Sequence, residues 1–386
     1  MDRKRLRKFF NDIHLWLGLS SGLILFIVCL SGTVYTFRAE IERWVDSEKY
    51  YHGNNSLAAI PADTIIARVE LEKQGKVTGM MIPADASMNW QVTVKKDSSK
   101  PKTFFVNPAT ANVVGEQGGS TSKFFTTVMQ LHRWLLMEEY GGRIIVGVAT
   151  IIFVFMILTG LILWFPAKLR LIKQVLTIKT SANWKRINHD LHNTLGFYSF
   201  LILLIMALTG LCWSFEWYKN GLSDVLGAKV FKGRGEKPMA SKPNATNAQT
   251  ASVQLLLDKS NEIFNYPGNS RITLPEKQNQ AVTVTKAASG FFAVAGSDKV
   301  QMDRFTASPL KVEPFADKPL NVKITDSIKI IHTGEIFGTF SKIIYFIVCL
   351  IATSLPITGT MIWVNKMKRK NNKPKKLSLY EAKQFA

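Results

Sequence analysis

Cysteine is rare in this sequence of 386 residues, and its placement excludes two kinds of protein. All three cysteines, Cys29, Cys212 and Cys349, lie inside long apolar runs, so the disulfide framework of a small secreted domain is not expected. No Cys-x-x-Cys-His motif occurs, which excludes covalently attached haem. We interpret the three thiols as small apolar core residues.

Acidic residues are also scarce, since 28 Asp and Glu stand against 49 Lys and Arg, for a formal charge of +21. In a soluble protein this excess would indicate nucleic-acid binding, because clustered Lys and Arg neutralise phosphates. Four runs without a charged residue argue against that function, because roughly 20 apolar residues suffice to cross a bilayer core of about 30 Å. They are Leu15–Phe37, Ile144–Ala167, Leu191–Phe215 and Ile343–Asn365. The sequence therefore predicts a membrane protein that contacts the lipid bilayer and no nucleic acid.

Most of the excess positive charge lies in three short segments. Residues 1–14, 168–190 and 366–386 together carry 15 of the 21 net charges. Because Lys and Arg in short loops stay in the cytoplasm, we predict that both termini and the middle loop lie inside and that the long segments lie outside. The first apolar run is longer than that of a secretory signal and no small-x-small cleavage site follows it, so an uncleaved span is predicted.

These patterns predict nine segments. In chain order they are a cytoplasmic N-terminus (1–14), a first span (15–37), a periplasmic module with a pre-span helix (38–142), a second span (143–166), a cytoplasmic loop (167–190), a third span (191–215), a second periplasmic module (216–341) with a linker (232–250), a fourth span (342–365) and a basic cytoplasmic tail (366–386).

Each long outward segment shows a short helix followed by alternating strands. The predicted elements are a helix over 61–73 with strands over 77–82, 90–95 and 103–106, and then a helix over 252–264 with strands over 280–285, 290–295 and 301–305. The predicted fold class is an α-helical membrane protein with four transmembrane helices and two small α/β modules.

The chain is predicted to be an internal duplication. Residues 11–37 align without a gap on residues 189–215 and share 12 identities in 27, including His14 with His192. The second and fourth spans also end alike, on Thr159-Gly160 and Thr358-Gly359. Because spans one and three both run outward, the duplication is a parallel repeat with a pseudo-twofold axis along the membrane normal.

The repeat pairs four of the six histidines. His14 and His192 lie at the inner mouths of the outward-running spans, whereas His132 and His332 each lie ahead of an inward-running span. An ionisable ring at the end of an apolar helix is a candidate functional group. Two matched pairs favour a shared role as ligands over four unrelated capping residues.

Two imidazoles without nearby carboxylates or thiols make a poor zinc site, which needs four donors, but they suit a six-coordinate b-type haem between facing helices. A flat macrocycle also needs helix faces reduced to backbone, although glycine in a membrane helix serves close helix packing as well. Glycines occur at two depths: Gly18 and Gly196 lie one turn above the inner histidines, and Gly32 and Gly210 lie about 27 Å beyond them. The sequence therefore predicts two haem b groups, one near each surface, that form a path for electrons.

Several strings resemble the PepSY-associated transmembrane helix family. They are Leu131-His132-Arg133-Trp134-Leu135, Ile331-His332-Thr333-Gly334-Glu335-Ile336-Phe337-Gly338, the Thr-Gly pairs near the ends of spans two to four, and the turn Phe105-Val106-Asn107-Pro108-Ala109-Thr110-Ala111-Asn112, which looks like the end of a PepSY module. The resemblance covers essentially the whole chain. It implies a bacterial inner-membrane protein of the di-haem ferric-siderophore reductase (ferrioxamine reductase-like) type.

Carried over residue by residue, the resemblance implies that His14 and His192 ligate the inner haem and that His132 and His332 ligate the outer one. The implied reaction is periplasmic reduction of a ferric siderophore, which releases Fe(II) for iron uptake. Some relatives carry a fused cytosolic flavin domain, whereas this chain has a basic tail, so a separate electron donor is expected, either a cytosolic flavoprotein or a quinol. His189 shares a helix face with His192 and is its rival as ligand.

Two other functions stay open. A haem-free, membrane-anchored PepSY protein would regulate a periplasmic protease, and its histidines would be structural. A transporter would exploit the parallel repeat, but four spans without a charged midplane residue argue against it. Near the outer histidines, Arg133, Arg143 and Lys342 are candidates either for haem propionates or for contact with lipid headgroups.

Overall fold

A computed structural model of the chain describes residues 2–53, 58–97, 99–231, 238–241, 249–277 and 279–371. Its α-helices are α1 (Arg3–Tyr35), α2 (Arg38–Val45), α3 (Ser47–Tyr50), α4 (Ala62–Lys73), α5 (Ser120–Trp134), α6 (Gly142–Trp164), α7 (Ile172–Val175), α8 (Trp184–Asp190), α9 (Gly196–Ser214), α10 (Glu216–Leu226), α11 (Val253–Ile263), α12 (Leu320–Thr333) and α13 (Gly338–Asn371). A π-helical turn, Leu191–Leu195, joins α8 to α9, and 3₁₀ turns occupy Leu169–Leu171 and Phe315–Asp317.

The strands are β1 (Lys76–Ile82), β2 (Trp90–Lys95), β3 (Lys102–Val106), β4 (Val113–Glu116), β5 (Gly268–Thr273), β6 (Val282–Ala288), β7 (Ser297–Met302) and β8 (Pro309–Glu313). The linker predicted over 232–250 lies largely outside the described residues, and so does the tail beyond residue 371.

The chain is a multi-pass membrane protein. Four helical stretches are long and apolar enough to cross a bilayer: Lys4–Tyr35, Gly142–Trp164, Trp184–Ser214 and Gly338–Lys368. Only 11% to 33% of each apolar window is buried inside the protein, so lipid has to cover most of this surface. The first helix begins before the run predicted as a span, because Lys and Arg are good helix formers and their long stems extend toward the headgroups.

The chain divides into two compact units, of which the first comprises Met1–Thr33, Leu131–Ser214 and Ile347–Ala386. Within it α6 packs along α9. A buried apolar cluster of Ile157, Leu203, Val348 and Ala352 joins α6, α9 and α13, and Cys29 of α1 packs against it. All four spanning helices therefore contribute to one apolar core.

The second unit comprises Val34–Gln130 and Phe215–Phe346 and is built on a single antiparallel sheet of eight strands. The strand order is β4-β3-β2-β1-β5-β6-β7-β8. The sequence predicts two small modules, whereas here β1 pairs with β5, with Met80 opposite Ile272. Pairing the two strands removes an open edge from each half of the sheet. Helices α4 and α11 cover one continuous core.

Most predicted elements of this unit are present: α4, α11 and strands β1, β2, β3, β6 and β7. The strand predicted over 290–295 is wrong. Gly290 adopts a φ of +140°, and the segment after it turns back onto residues 336 and 337 instead of extending the sheet. Strands β4, β5 and β8 were not predicted.

Helices α4 and α11 cap each other. The carboxylate of Asp63 in the first turn of α4 accepts hydrogen bonds from the backbone N–H groups of Val253 (2.8 Å) and Gln254 (3.0 Å) at the start of α11. In return, Oε1 of Gln254 accepts a hydrogen bond from the backbone N–H of Ala62 at 3.0 Å. Orphan donors at both helix starts are thereby satisfied, which ties the two halves of the sheet together.

Candidate functional site

His14 and His192 face each other in the first unit. His14 lies within α1 and His192 lies in the π-helical turn before α9. Their ring centroids are 6.3 Å apart and their planes are inclined by 85°. A single π-helical turn inside a longer helix is frequently found at functional sites, because it re-aims a side chain relative to the regular helix.

Each of these rings is held by a threonine of another helix. Nδ1 of His14 lies 2.9 Å from Oγ1 of Thr159 in α6, and Nδ1 of His192 lies 2.9 Å from Oγ1 of Thr358 in α13. Each hydroxyl has one hydrogen, which it donates to carbonyls of its own helix, such as those of Phe155 and Ser354. It therefore accepts from the ring, so that Nδ1 carries the proton and Nε2 keeps its lone pair.

A glycine follows each threonine and lies directly beside the ring. A Cβ placed on Gly160 would lie 3.3 Å from Cε1 of His14, and one placed on Gly359 would lie 3.1 Å from Cε1 of His192. Real Cβ atoms rarely come so close. The repeated Thr-Gly pair thus supplies both an acceptor and the space for the imidazole it holds.

The distance between the two ring centroids is close to the one expected for two imidazoles on opposite sides of a metal ion. An imidazole nitrogen binds a transition metal at about 2 Å and its ring centroid lies about 1 Å further back, so two such ligands on opposite sides place their centroids about 6 Å apart. The 6.3 Å between His14 and His192 matches this value. Two imidazoles form the axial ligand set of a six-coordinate b-type haem.

Asn188, one turn before His192, supports a bound group as well. This side chain is almost fully buried, and its Nδ2 donates to the carbonyl of Thr358 at 3.1 Å. Its Oδ1 is buried and has no hydrogen-bond partner among the described residues. Because buried acceptors are nearly always satisfied, a ligand or a water is expected at this atom.

The glycines predicted near this pair pack against apolar side chains. A Cβ on Gly18 would lie 3.2 Å from Cε of Met156, and one on Gly196 would lie 3.9 Å from a methyl of Leu355. Both glycines therefore lie at helix contacts of the first unit, and a role for them beside a macrocycle stays a prediction.

His132 lies near the end of α5, and its ring packs against α1. Its Nδ1 is 2.8 Å from the carbonyl oxygen of Val28, and a Cβ on Gly32 would lie 3.1 Å from its Cε1. Since a carbonyl only accepts, Nδ1 carries the proton and Nε2 is again the nitrogen with a lone pair. Leu135 and Leu136, which follow α5, both adopt positive φ values of 54° and 60° and form a tight corner before α6.

The structure places the other predicted residues as follows. His332 is the last residue but one of α12 and belongs to the second unit, whereas His132 belongs to the first, so their pairing stays a prediction. Gly210 lies in α9, in the first unit. His189 is exposed, with its Nδ1 3.6 Å from the buried carboxylate of Asp190. It does not share the position of His192 opposite His14.

The candidate cations near the outer histidines have protein partners. Lys342 is buried and contacts Glu40 at 3.0 Å and Glu335 at 3.3 Å. Arg143 approaches Glu138 at 3.6 Å, and Arg133 lies over the ring of Trp134 at 4.7 Å. The protein thus supplies Lys342 with two carboxylate partners of its own, and contact of any of these three cations with a propionate stays a prediction.

The sequence shows the Thr-Gly pairs as repeated strings but gives no role for the threonines. The signal was their recurrence at matched positions; their function as acceptors depends on a side chain from a different helix. Among the residues that the structure describes, no three His, Cys, Asp or Glu side chains gather as they would around zinc.

Comparison with known proteins gives one family. The sequence model of the PepSY-associated TM region matches residues 12–366, which is nearly the whole chain. No curated protein matches the chain.

Proposed function

This chain belongs to the family of PepSY-associated TM regions, and from that membership and its paired histidines we propose that it is a di-haem b-type electron-transfer protein. The proposed reaction is reduction of a ferric siderophore at the periplasmic side, with release of Fe(II). The protein would thereby act as an oxidoreductase in iron acquisition.

The observation that carries this proposal is the His14–His192 pair. Two rings from different helices lie 6.3 Å apart, each with Nδ1 fixed by a threonine hydroxyl and Nε2 left as the ligand atom. An outer-sphere hydrogen bond of this kind fixes the tautomer and the ring plane of a metal-binding histidine. A haem iron held by two imidazoles supplies one-electron transfer and has no vacant position for oxygen.

His132 supports a second site of the same kind. Its Nδ1 is fixed by the Val28 carbonyl, so Nε2 is the nitrogen that would bind a metal. The repeat and the family resemblance supply His332 as the second ligand. His14 and Val28 lie 14 residues apart on α1, or about 21 Å along the helix, which supports two proposed sites at different depths of the membrane.

The matched surroundings of His14 and His192 support the parallel repeat. In each half, one histidine meets a threonine and then a glycine near the end of another spanning helix. The eight-stranded sheet is likewise made of four strands from each half, in mirrored order about the β1–β5 pair. These halves correspond to the two proposed PepSY-like modules.

The basic segments set the proposed direction. They favour a bacterial inner membrane with both termini and the 167–190 loop in the cytoplasm and the sheet in the periplasm. With haem bound, electrons would enter beside His14 and His192 and leave beside His132 and His332. Each ferric ion takes one electron, so a two-electron donor, a reduced flavoprotein or a quinol, serves two chelates.

The test is a visible spectrum of the purified full-length protein before and after dithionite. We expect the bands of low-spin bis-imidazole haem, with two haems per chain. His132→Ala should remove one haem and leave the other, His192→Ala should remove the inner one, and His189→Ala should leave both as the matched control. Colourless protein from haem-replete cells would refute the proposal and favour a haem-free regulator of a periplasmic protease.

A further inference from the structure

Five large apolar side chains form an exposed patch at the start of α13. They are Phe291 (49% exposed), Phe292 (68%), Val294 (62%), Phe337 (49%) and Phe340 (43%). We call them the Phe291 patch. The rings contact one another, edge to face for Phe291 and Phe292 (centroids 4.7 Å apart) and tilted for Phe292 and Phe340 (5.3 Å apart). Contiguous exposed apolar groups of this kind mark an interaction surface.

The backbone beneath the patch is fixed. The N–H of Ala295 donates to the carbonyl of Ile336 at 2.8 Å, and the N–H of Phe340 donates to the carbonyl of Phe291 at 3.1 Å. Gly338 adopts a φ of +60°, and a Cβ there would lie 2.5 Å from the carbonyl oxygen of Gly290. Hydrogen bonds and close packing therefore fix the loop against the first turn of α13. The five side chains are exposed because of this fixed backbone.

The chemistry of the patch suits an apolar, uncharged partner. None of its five members is charged. The buried cation near the start of the same helix, Lys342, is neutralised by Glu40 and Glu335. An anionic chelate would need a cationic side chain, and Lys342 is already paired with two carboxylates. The hydrocarbon and ester groups of lipid need no cationic partner.

Continuity with a membrane span identifies the partner. Phe337 and Phe340 flank Gly338, the residue at which the apolar stretch Gly338–Lys368 begins. Apolar side chains such as Phe and Leu on a surface that faces the membrane are buried at the boundary between the headgroups and the acyl chains. We propose that the Phe291 patch inserts into the interfacial layer of the bilayer and thereby extends the anchor at the start of α13 onto the loop that precedes β7. This proposal does not depend on haem binding.

The test places an environment-sensitive NBD fluorophore on Phe292→Cys in the full chain, reconstituted in phosphatidylcholine nanodiscs. Leu71→Cys is the matched control, because Leu71 is another highly exposed apolar side chain of the second unit, on α4. Wild-type protein labelled in parallel reports any reaction of the three native cysteines, all of which lie within spanning helices.

We expect emission from position 292 to be blue-shifted and quenched by lipids that carry a shallow spin label, with neither effect at position 71. Three results would overturn the proposal. The first is emission from position 292 that matches emission from position 71. The second is quenching of the fluorophore at 292 by a ferric tris-hydroxamate or tris-catecholate and not by the spin-labelled lipid. The third is high-yield cross-linking of two copies of the chain through Phe292→Cys. Phe292 is exposed, so its replacement leaves the fold intact, and recovery of the variant at wild-type yield verifies this.

Discussion

His14 and His192 meet almost perpendicularly, with their ring planes at 85° and their centroids 6.3 Å apart. The angle follows from the two threonines, since each fixes one ring from its own helix. If both rings bind one haem iron, their mutual orientation sets the splitting of the iron d orbitals.

That orientation predicts an electron paramagnetic resonance spectrum. Perpendicular axial imidazoles give a ferric low-spin signal with strongly anisotropic g values, which differs from the rhombic signal of parallel rings. We expect one such signal in the oxidised protein and its loss in His192→Ala. A spectrum that contains only rhombic low-spin signals would contradict the observed angle.

Thr358→Val should weaken haem binding at the inner site. Valine keeps the shape of threonine but removes the acceptor of the Nδ1 proton, and loss of such a second hydrogen bond typically costs about 10- to 100-fold in affinity for the bound metal group. Haem content per chain and the midpoint potential of the inner haem measure the effect. Thr358→Ser keeps the hydroxyl and should stay close to wild type. Equal losses in the two variants would show that the methyl group, and not the hydrogen bond, matters.

Gly359→Ala should displace the ring of His192, because the new Cβ would lie 3.1 Å from its Cε1. The expected result is one haem per chain in place of two, with normal protein yield. Gly221→Ala is the control, since a Cβ there meets nothing within 4 Å and alanine favours the α10 helix. Retention of both haems in Gly359→Ala would mean that the ring can shift at no cost.

Asp63→Ala should destabilise the sheet unit. It removes the acceptor of two N–H groups at the start of α11, and losing such a cap costs about 1–2 kcal/mol. Hydrogen exchange of the α11 amides and the Tm of the full chain report the change. Asp97→Ala, at an exposed turn, should leave both values unchanged. If the two variants behave alike, the cross-cap contributes nothing measurable.

The turn after β7 should make the free energy of unfolding depend on pH in the acidic range. Burial of Asp303 disfavours its charge, but hydrogen bonds from Thr306, Ser241 and Phe305 outweigh burial and hold the pKa of this carboxyl below its ordinary value. A lowered pKa means that the stabilisation is full above the unfolded value of about 3.9 and is lost as pH falls through the folded value.

Hydrogen exchange of strand β7 between pH 7 and pH 3 measures this effect, and the loss of protection at low pH should be smaller in Asp303→Asn. An identical pH dependence in the two proteins would assign the acid sensitivity to other carboxylates.

The sequence predicted elements wherever periodicity was strong. Strand β2 has its predicted bounds because the apolar residues of Trp90–Lys95 alternate with polar ones, so that Val92 and Val94 are buried and their neighbours are half-buried. Strand β4 is only four residues long and contains Gly115, and β8 begins with a proline, so neither gives a long enough run of alternating apolar residues to predict a strand. Neither strand contains a buried residue. The apolar run 290–295 reads as a strand, yet it is the exposed loop that carries the Phe291 patch.

For the candidate site, the inner pair and its repeat followed from spacing alone, since His14 and His192 occupy the same position in two aligned runs. The threonines could not be assigned in that way. Whether Thr159 reaches His14 depends on how α6 packs beside α1 and on a side-chain rotamer, and neither leaves a periodic signal in the sequence. The same holds for Asn188, whose burial follows from the packing of α8 against the Thr358 region.

The pairing of β1 with β5 also determines when, during synthesis of the chain, the sheet can form. Residues 76–82 leave the ribosome long before residues 268–273, with nearly half the chain between them. Until the later strand arrives, the nascent protein carries an open strand edge that can recruit another polypeptide. A stalled or truncated translation product that ends before β5 would therefore be prone to aggregate through the open edge of β1.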